Sequence, residues 1–181
     1  LVQLRQGLIL GSACASGELF QRLVDKAGED VLRRTASFYD YIEVQPVGNN
    51  CFLLRDGTVG DEEALRQLNI RLLELAEELS KPCVATGDVH YLHPNDEIYR
   101  KILLTSLEYE DAEEYIPLYF HTTEEMLEEF SYMGEEIAQR IVIDNPQAIA
   151  DQCEMLRPFP EETCQPELEG AEEWLVETCY D

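Results

Sequence analysis

The sequence predicts an α/β fold with parallel strands in residues 1–106, from the pattern of three consecutive segments. Residues 41–45 alternate between apolar and polar side chains and stop at Pro46, which is typical of a strand. Residues 61–80 carry leucines at three- and four-residue spacing, which predicts a helix with one apolar face. Residues 83–88 begin with a short apolar run that predicts a buried strand. A strand, a helix and a strand in this order form a crossover with parallel strands.

The segments before this crossover continue the alternation of strands and helices. Leu8-Ile9-Leu10 is a short apolar run, which predicts a strand over 8–11, and amphipathic stretches predict helices at about 17–24 and 30–37. Gly48-Asn49-Asn50 is typical of a loop, and we expect both asparagines to be ordinary loop residues.

The second part of the chain, residues 107–181, is predicted to be helical. Separate helices are expected to open at four places, and residues 156–166, which carry prolines, are expected to form a linker. The four predicted starts are Thr122, Gly134, Asp144-Asn145-Pro146 and Gly170.

The charge also divides the chain at residue 106. Residues 1–106 hold 16 acidic and 11 basic side chains, whereas residues 107–181 hold 22 acidic and 2 basic ones. Such asymmetry suggests two physically different parts, and we place a domain boundary between 106 and 107. The acidic part would repel a phosphate backbone, so we do not expect it to grip nucleic acid by itself.

Composition narrows the class of protein further. With 181 residues and 45% hydrophobic side chains, the chain can bury a core, and its length suits one domain or a domain with part of another. It has no apolar run of the roughly 18–20 residues that a membrane span needs. The six cysteines form no Cys-x-x-Cys pair, so a reduced, cytoplasmic protein is expected. Because the chain begins at Leu1, we expect it to be a piece of a longer protein.

Asp88-Val89-His90 is the most suggestive short motif for metal binding. Residues two apart at the end of a strand face the same way, so a carboxylate oxygen and an imidazole nitrogen could reach one ion of Zn, Mn or Fe. Cys14 follows the predicted strand at 8–11 and could supply a third ligand. Two simpler interpretations stay open: Asp88 bonded to solvent in a turn, and Cys14 as a small buried residue.

The other candidate side chains have simpler interpretations. Cys83 is expected in the core, His93 and His121 at the surface or at helix starts, and Arg100-Lys101 on the solvated face of a helix, although a phosphate contact is an alternative. Cys51, Cys153, Cys164 and Cys179 have no visible metal partners. The sequence contains no P-loop and no G-x-G-x-x-G fingerprint, which argues against the common nucleotide-binding folds.

Three segments together resemble one known family. Residues 7–20, 38–46 and 84–103 resemble, in that order, the final strands and metal-binding segments of the PHP domain in the PolC-type DNA polymerase III alpha subunit. Residues 120–130, 134–136 and 169–171 are similar to the stretch that leads from that domain toward the polymerase core. The resemblance covers nearly the whole chain.

The resemblance implies a fold and a ligand set that spacing alone does not give. Residues 1–106 would be the C-terminal part of a distorted (β/α)7 PHP barrel, and residues 107–181 an all-helical acidic connector to the polymerase core. Cys14, Asp88 and His90 match three late ligands of the family's metal site. The resemblance implies Zn or Mn in that site and Mg for the polymerase. Since the upstream ligands are not in this sequence, we expect the chain alone to bind metal weakly.

The function implied by the resemblance is that of a bacterial replicative DNA polymerase, of which this chain is a fragment. The parent enzyme, a nucleotidyltransferase with an inserted proofreading exonuclease, would bind primer-template DNA and dNTPs. This segment would carry no catalytic residue of the polymerase and would pack mainly on other parts of it, with no membrane partner. Two alternatives are a stand-alone PHP phosphoesterase of the histidinol-phosphatase kind and an inactive PHP scaffold that binds partner proteins.

Overall fold

A computed structural model describes residues 2–109, 115–157, 159 and 169–180. Within these ranges the fold is mixed α/β and mostly helical, with a small parallel sheet, as predicted at the level of fold class. The strands are β1 (Ile42–Val44) and β2 (Cys83–Ala85). The helices are α1 (Glu18–Val24), α2 (Glu29–Ser37), α3 (Phe52–Arg55), α4 (Glu62–Glu78), α5 (Glu97–Ser106), α6 (Thr123–Glu129), α7 (Glu135–Gln139), α8 (Asn145–Ala150) and α9 (Ala171–Tyr180).

The predicted crossover is confirmed. Strands β1 and β2 are parallel, with Ile42 opposite Cys83 and Val44 opposite Ala85, and α4 joins them. Helix α4 begins where predicted, because the side chain of Asp61 accepts a hydrogen bond from the Ala64 amide at 2.8 Å and so caps its first turn.

The predicted strand at 8–11 is reduced to a single parallel bridge between Gly11 and Tyr41. The amide of Leu10 donates to the Asp40 carboxylate at 2.8 Å, and the carbonyl of Leu10 accepts from the Asp40 amide at 2.7 Å. Leu8 and Ile9 are exposed, so they lack the packing that favours a longer strand. The segment still runs parallel beside β1.

One hydrophobic core joins residues from both sides of residue 106. Leu72, Leu75 and Ala76 of α4 lie in the same buried cluster as Ile42 and Val44 of β1. The cluster also takes in side chains of the later helices, namely Met126, Phe130, Ala138 and Ile141. The domain boundary between residues 106 and 107, which was inferred from the charge of the two parts, stays a prediction.

The helix predicted to open at Asp144-Asn145-Pro146 is confirmed as α8, which begins at Asn145, directly after Asp144, and has Pro146 in its first turn. Helices α7 and α8 are joined by a π-helical turn, Arg140–Asp144, so the helical course is continuous. Pro146 follows this turn and has no backbone N–H to donate, so one regular helical hydrogen bond is absent there. Asn145 also donates to the carbonyl of Cys83 at 2.7 Å, which fastens this course to β2.

The remaining predictions for the second part are confirmed in part. Helices α6 and α9 begin close to the predicted starts. Most of the predicted linker 156–166, including Cys164, lies outside the described residues. Among the helices of the described ranges, none combines the length and the apolar character that crossing a membrane requires.

Asn69 connects three elements inside the core. It is 1% exposed, and its Nδ2 donates to the carbonyl of Gln45 at 2.8 Å and to the hydroxyl of Tyr132 at 3.0 Å. The side chain thereby ties α4 to the end of β1 and to the turn after α6.

Replacing Asn69 by alanine is expected to lower the free energy of unfolding by about 1–3 kcal/mol, because the carbonyl of Gln45 stays buried and loses a donor. Gln67→Ala, on the exposed side of the same helix, is the control and should change it by less than about 0.5 kcal/mol. Urea denaturation measures both. Equal effects of the two substitutions would contradict this role of Asn69.

Candidate metal centre

Three parallel segments end side by side at one edge of the sheet. The segment at Gly11 lies on one side of β1, and β2 lies on the other side. The three segments are therefore neighbours in the order in which they occur along the chain. Because the segments are parallel, the loops at 12–15 and 86–90 both leave from this carboxyl edge, which is where sites form in α/β proteins. Cys14 lies in the first loop, and Asp88 and His90 lie in the second.

Asp88 and His90 form a close pair. Asp88 Oδ1 lies 3.5 Å from His90 Nε2, and the two side chains are 39% and 48% exposed. The strand geometry expected from the sequence does not cause this, because β2 ends at Ala85. Asp88 instead has a left-handed backbone (φ 49°), and the amide of His90 donates to the carbonyl of Leu118 at 2.8 Å. The two ligand atoms are close enough to contact one ion.

Cys14 is not grouped with that pair. Its free thiol is partly buried and lines a small cavity together with Glu43, Gln45, Asn50 and Asn69. Within the described ranges, no three His, Cys, Asp or Glu side chains lie close enough together to hold a metal ion. The donor types of Cys14, Asp88 and His90 suit a divalent metal. In the described part of the chain, however, only Asp88 and His90 lie together.

Glu43 connects the two loops, and the sequence analysis missed it. Its Oε1 accepts from the Ala13 amide at 3.0 Å, and its Oε2 accepts from the Thr86 hydroxyl at 3.1 Å. Its own amide donates to the hydroxyl of Ser12 at 2.9 Å. The available signal was a carboxylate between the buried residues Ile42 and Val44 of a parallel strand.

Asn49 and Asn50 are not the ordinary loop residues that the sequence predicted. Both lie in a 3₁₀ turn, Val47–Asn50, and are at most 5% exposed. Asn49 Nδ2 donates to the carbonyl of Gly87 at 2.9 Å, which supports the loop beside Asp88. The Oδ1 atoms of both are buried and have no hydrogen-bond partner among the described residues. These amides therefore help to build the carboxyl edge.

Cys83 is confirmed as a core residue. It is 3% exposed, and burial raises the pKa of its thiol to about 12. The group therefore stays protonated at neutral pH, where metal ligation needs the thiolate.

The two other histidines, His121 and His93, differ in their burial. His121 was predicted at the surface or at a helix start; it is instead buried, stacked on the ring of Tyr119 at 4.0 Å, and Thr122 caps α6. His93 is exposed, and its amide donates to Asp96 at 2.9 Å at the start of the turn before α5, as predicted.

Helix α5 exposes its apolar side chains. Ile98, Tyr99, Ile102 and Leu103 are each more than half exposed, and a groove of about 710 Å³ runs from His90 along Tyr99 and Leu103. The prediction that Arg100-Lys101 forms the solvated face is wrong, because both are partly buried and Lys101 pairs with Glu97 at 2.8 Å. Arg100 lines the groove.

The comparisons with known proteins agree on one kind of protein. No family model matches the chain. The DNA polymerase III PolC-type of Clostridium perfringens is 49% identical over 173 residues, 96% of this chain and 12% of that protein. The proteins of the same name from Caldanaerobacter subterraneus and Bacillus subtilis are 52% and 43% identical over 97% and 99% of this chain, and 12% and 13% of their own lengths are matched. The chain spans about an eighth of the length of these relatives. The resemblance to the PolC type is confirmed.

Substituting Gly11 by alanine is expected to disturb the carboxyl edge. A Cβ at this position would overlap the carboxylate of Glu43 and the ring of Tyr41, whereas one at Gly60 would meet nothing. Gly11→Ala should lower the free energy of unfolding by about 1–3 kcal/mol, and Gly60→Ala by less than about 0.5 kcal/mol. Thermal denaturation compares them, and an unaffected Gly11→Ala variant would contradict the close packing at this edge.

Proposed function

We propose that the chain is one segment of a bacterial replicative DNA polymerase of the PolC type, a nucleotidyltransferase that extends a primer on a DNA template. One observation carries this proposal. The similarity to PolC-type proteins runs through 96–99% of this chain at 43–52% identity, and it occupies about an eighth of each relative. As the resemblance implies, we place the chemistry of nucleotide addition in other parts of the polypeptide and assign no residue of this chain to it.

We further propose that residues 1–106 form the last part of a distorted PHP barrel and that residues 107–181 connect it to the polymerase core. The order of the sheet supports the barrel, since the segment at Gly11, β1 and β2 are neighbours in chain order, all parallel and separated by helices. The acidic composition of residues 107–181 suits packing on protein rather than on DNA.

The proposed metal ligands are Cys14, Asp88 and His90, and further ligands would come from elsewhere in the polypeptide. The proximity of Asp88 to His90 and the shared carboxyl edge support this set. Zn or Mn would suit a thiolate, a carboxylate and an imidazole, and Mg would serve the polymerase reaction. When bound, the ion in the PHP site would supply Lewis-acid chemistry toward a phosphoester. Asp88 and His90 would hold it, and His90 also lines the groove along α5, as Arg100 does.

The apolar face of α5 supports the proposal that this segment packs on other parts of the same polypeptide. Four large apolar side chains more than half exposed on one helix are unusual for a surface that meets only water. In the whole enzyme, primer-template DNA and dNTPs would be the substrates, a proofreading exonuclease would be inserted, and the protein would work in the cytoplasm.

An inactive PHP scaffold is the second candidate. The exposed apolar face of α5 suits a scaffold, because it offers a surface on which another protein can pack. A stand-alone phosphoesterase is disfavoured, because the similarity runs on through the helices after residue 106.

Titration of the 181-residue chain with Zn²⁺ or Mn²⁺ is expected to show weak binding, weakened at least about tenfold by Asp88→Asn or His90→Ala because each removes a ligand. The control is His93→Ala, an exposed histidine that should leave the affinity unchanged. Calorimetry measures the affinities. Tight, stoichiometric binding that Cys14→Ala leaves unaffected would contradict the ligand set.

The intact polypeptide that contains this segment is expected to extend a labelled primer on a DNA template with dNTPs and Mg²⁺, and a chelator should stop the extension. The isolated chain serves as the control and should give no extension. Phosphoester hydrolysis without extension by the intact polypeptide would support a phosphoesterase instead. The absence of both extension and hydrolysis would support the scaffold.

A further inference from the structure

Helix α5 exposes the face that helices usually bury. None of its ten residues is buried, and its large apolar side chains are 54–65% exposed. These side chains are Ile98, Tyr99, Ile102 and Leu103. A helix of this length gains most of its stability from the packing of an apolar face. The described residues leave this face of α5 without that packing.

The groove of about 710 Å³ beside this face has one fixed wall and one exposed wall. In the fixed wall, the hydroxyl of Tyr91, a residue 9% exposed, donates to the carbonyl of Ile116 at 2.8 Å. The other wall is formed along α5 by Tyr99, Leu103 and Leu107, which are 63–66% exposed. A small ligand is usually enclosed over most of its surface, whereas this wall continues into the exposed face of α5. The groove therefore suits a peptide segment that lies along the helix.

A guanidinium lines the same groove. Arg100 is partly buried there, and among the described residues no carboxylate forms an ion pair with it. The carboxylates nearby have other partners, since Glu97 pairs with Lys101 at 2.8 Å and Asp96 accepts from the amide of His93 at 2.9 Å. A partly desolvated guanidinium is stabilised by a carboxylate that it can bind through two hydrogen bonds. The occupant that complements the groove is therefore an apolar segment with an acidic side chain.

The local charge disfavours a nucleic acid in this groove. Binding to a phosphate backbone depends on several basic side chains, and residues 90–109 hold two basic and three acidic ones. A peptide occupant has a source, because the PolC-type relatives match this chain over 12–13% of their length and the greater part of each relative lies outside the match.

We propose that the groove along α5 is the docking site for a segment of the same polypeptide outside residues 1–181. This segment lays apolar side chains against Tyr99 and Leu103 and presents an Asp or Glu carboxylate to Arg100. The apolar walls supply the buried area, and Arg100 determines which segment fits. The inference rests on the proposed function in one respect, namely that the chain is part of a larger PolC-type polypeptide.

Hydroxyl-radical footprinting of the 181-residue chain and of the intact polypeptide tests the docking, with free phenylalanine added to both samples to monitor the radical dose. In the 181-residue chain, Tyr99 and Leu103 should be oxidised readily, because both are more than half exposed. In the intact polypeptide, both should react at least about tenfold more slowly, because the packed core of an interface excludes water.

Arginine variants test the ionic contact. In the intact polypeptide, Arg100→Gln should raise the oxidation of Tyr99 by about tenfold, because the carboxylate of the docked segment loses its partner. Arg22→Gln, which removes a guanidinium 44% exposed on α1, is the matched control and should leave the protection unchanged. In the 181-residue chain, Arg100→Gln should leave the melting temperature unchanged, which separates a lost contact from a damaged fold. Protection that Arg100→Gln leaves intact would overturn the role of Arg100.

A photo-reactive amino acid in place of Leu103 identifies the occupant in the intact polypeptide. A cross-link within one polypeptide, to an apolar segment that carries Asp or Glu, would support the proposal. A cross-link to a second copy or to primer-template DNA would overturn it.

The outcomes also distinguish this inference from the proposed function beneath it. Equal oxidation of Tyr99 in both samples, with an intact polypeptide that extends a primer, would overturn the docking site alone. Protection of Tyr99 in an intact polypeptide that extends no primer would overturn the proposed function and would still support the docking site.

Discussion

The parallel pairing of β1 with β2 is the constraint on which the rest of the structure depends. Parallel strands need a crossover, and α4 supplies it with an apolar face that joins the core around Ile42. The same pairing sends the chain out of both strands at one edge, so loops distant in sequence meet there. The carboxylate of Glu43 joins residues 30 and 43 positions away, and Asn145 fastens the later helices to β2. The candidate site is a consequence of this pairing.

Local patterns predicted the elements whose causes are local. The leucine spacing predicted α4, and strand alternation predicted β1, because these signals lie within the segments themselves. The strand predicted at 8–11 is reduced to one bridge, because its extent depends on contacts with distant residues. The burial of Asn49, Asn50 and His121 has the same origin, since a polar side chain is buried only where the fold places neighbours around it. For the site, the motif at 88–90 was visible in the sequence and Glu43 was not, because its partners lie on other segments.

The carboxyl edge and the apolar face of α5 lie next to each other, and both suit a segment that other parts of the polypeptide complete. The groove begins at His90 and runs along α5, so the proposed ligands open onto a surface that we expect other parts of the polypeptide to cover. A chain that spans about an eighth of its PolC-type relatives would be completed in this way, by neighbours that supply both packing and further ligands. The acidic second part, residues 107–181, also suits packing against other parts of the polypeptide. It contributes Phe130 and Ile141 to the common core and has exposed carboxylates on its outer side.

The sequence of the reading frame on both sides of this segment tests the central claim most directly. The account predicts an exonuclease and a His-x-His segment upstream, and paired aspartates of a polymerase active site downstream. A frame that closes shortly after Asp181 and has no exonuclease before Leu1 would contradict it and would leave a small metal phosphoesterase or a scaffold.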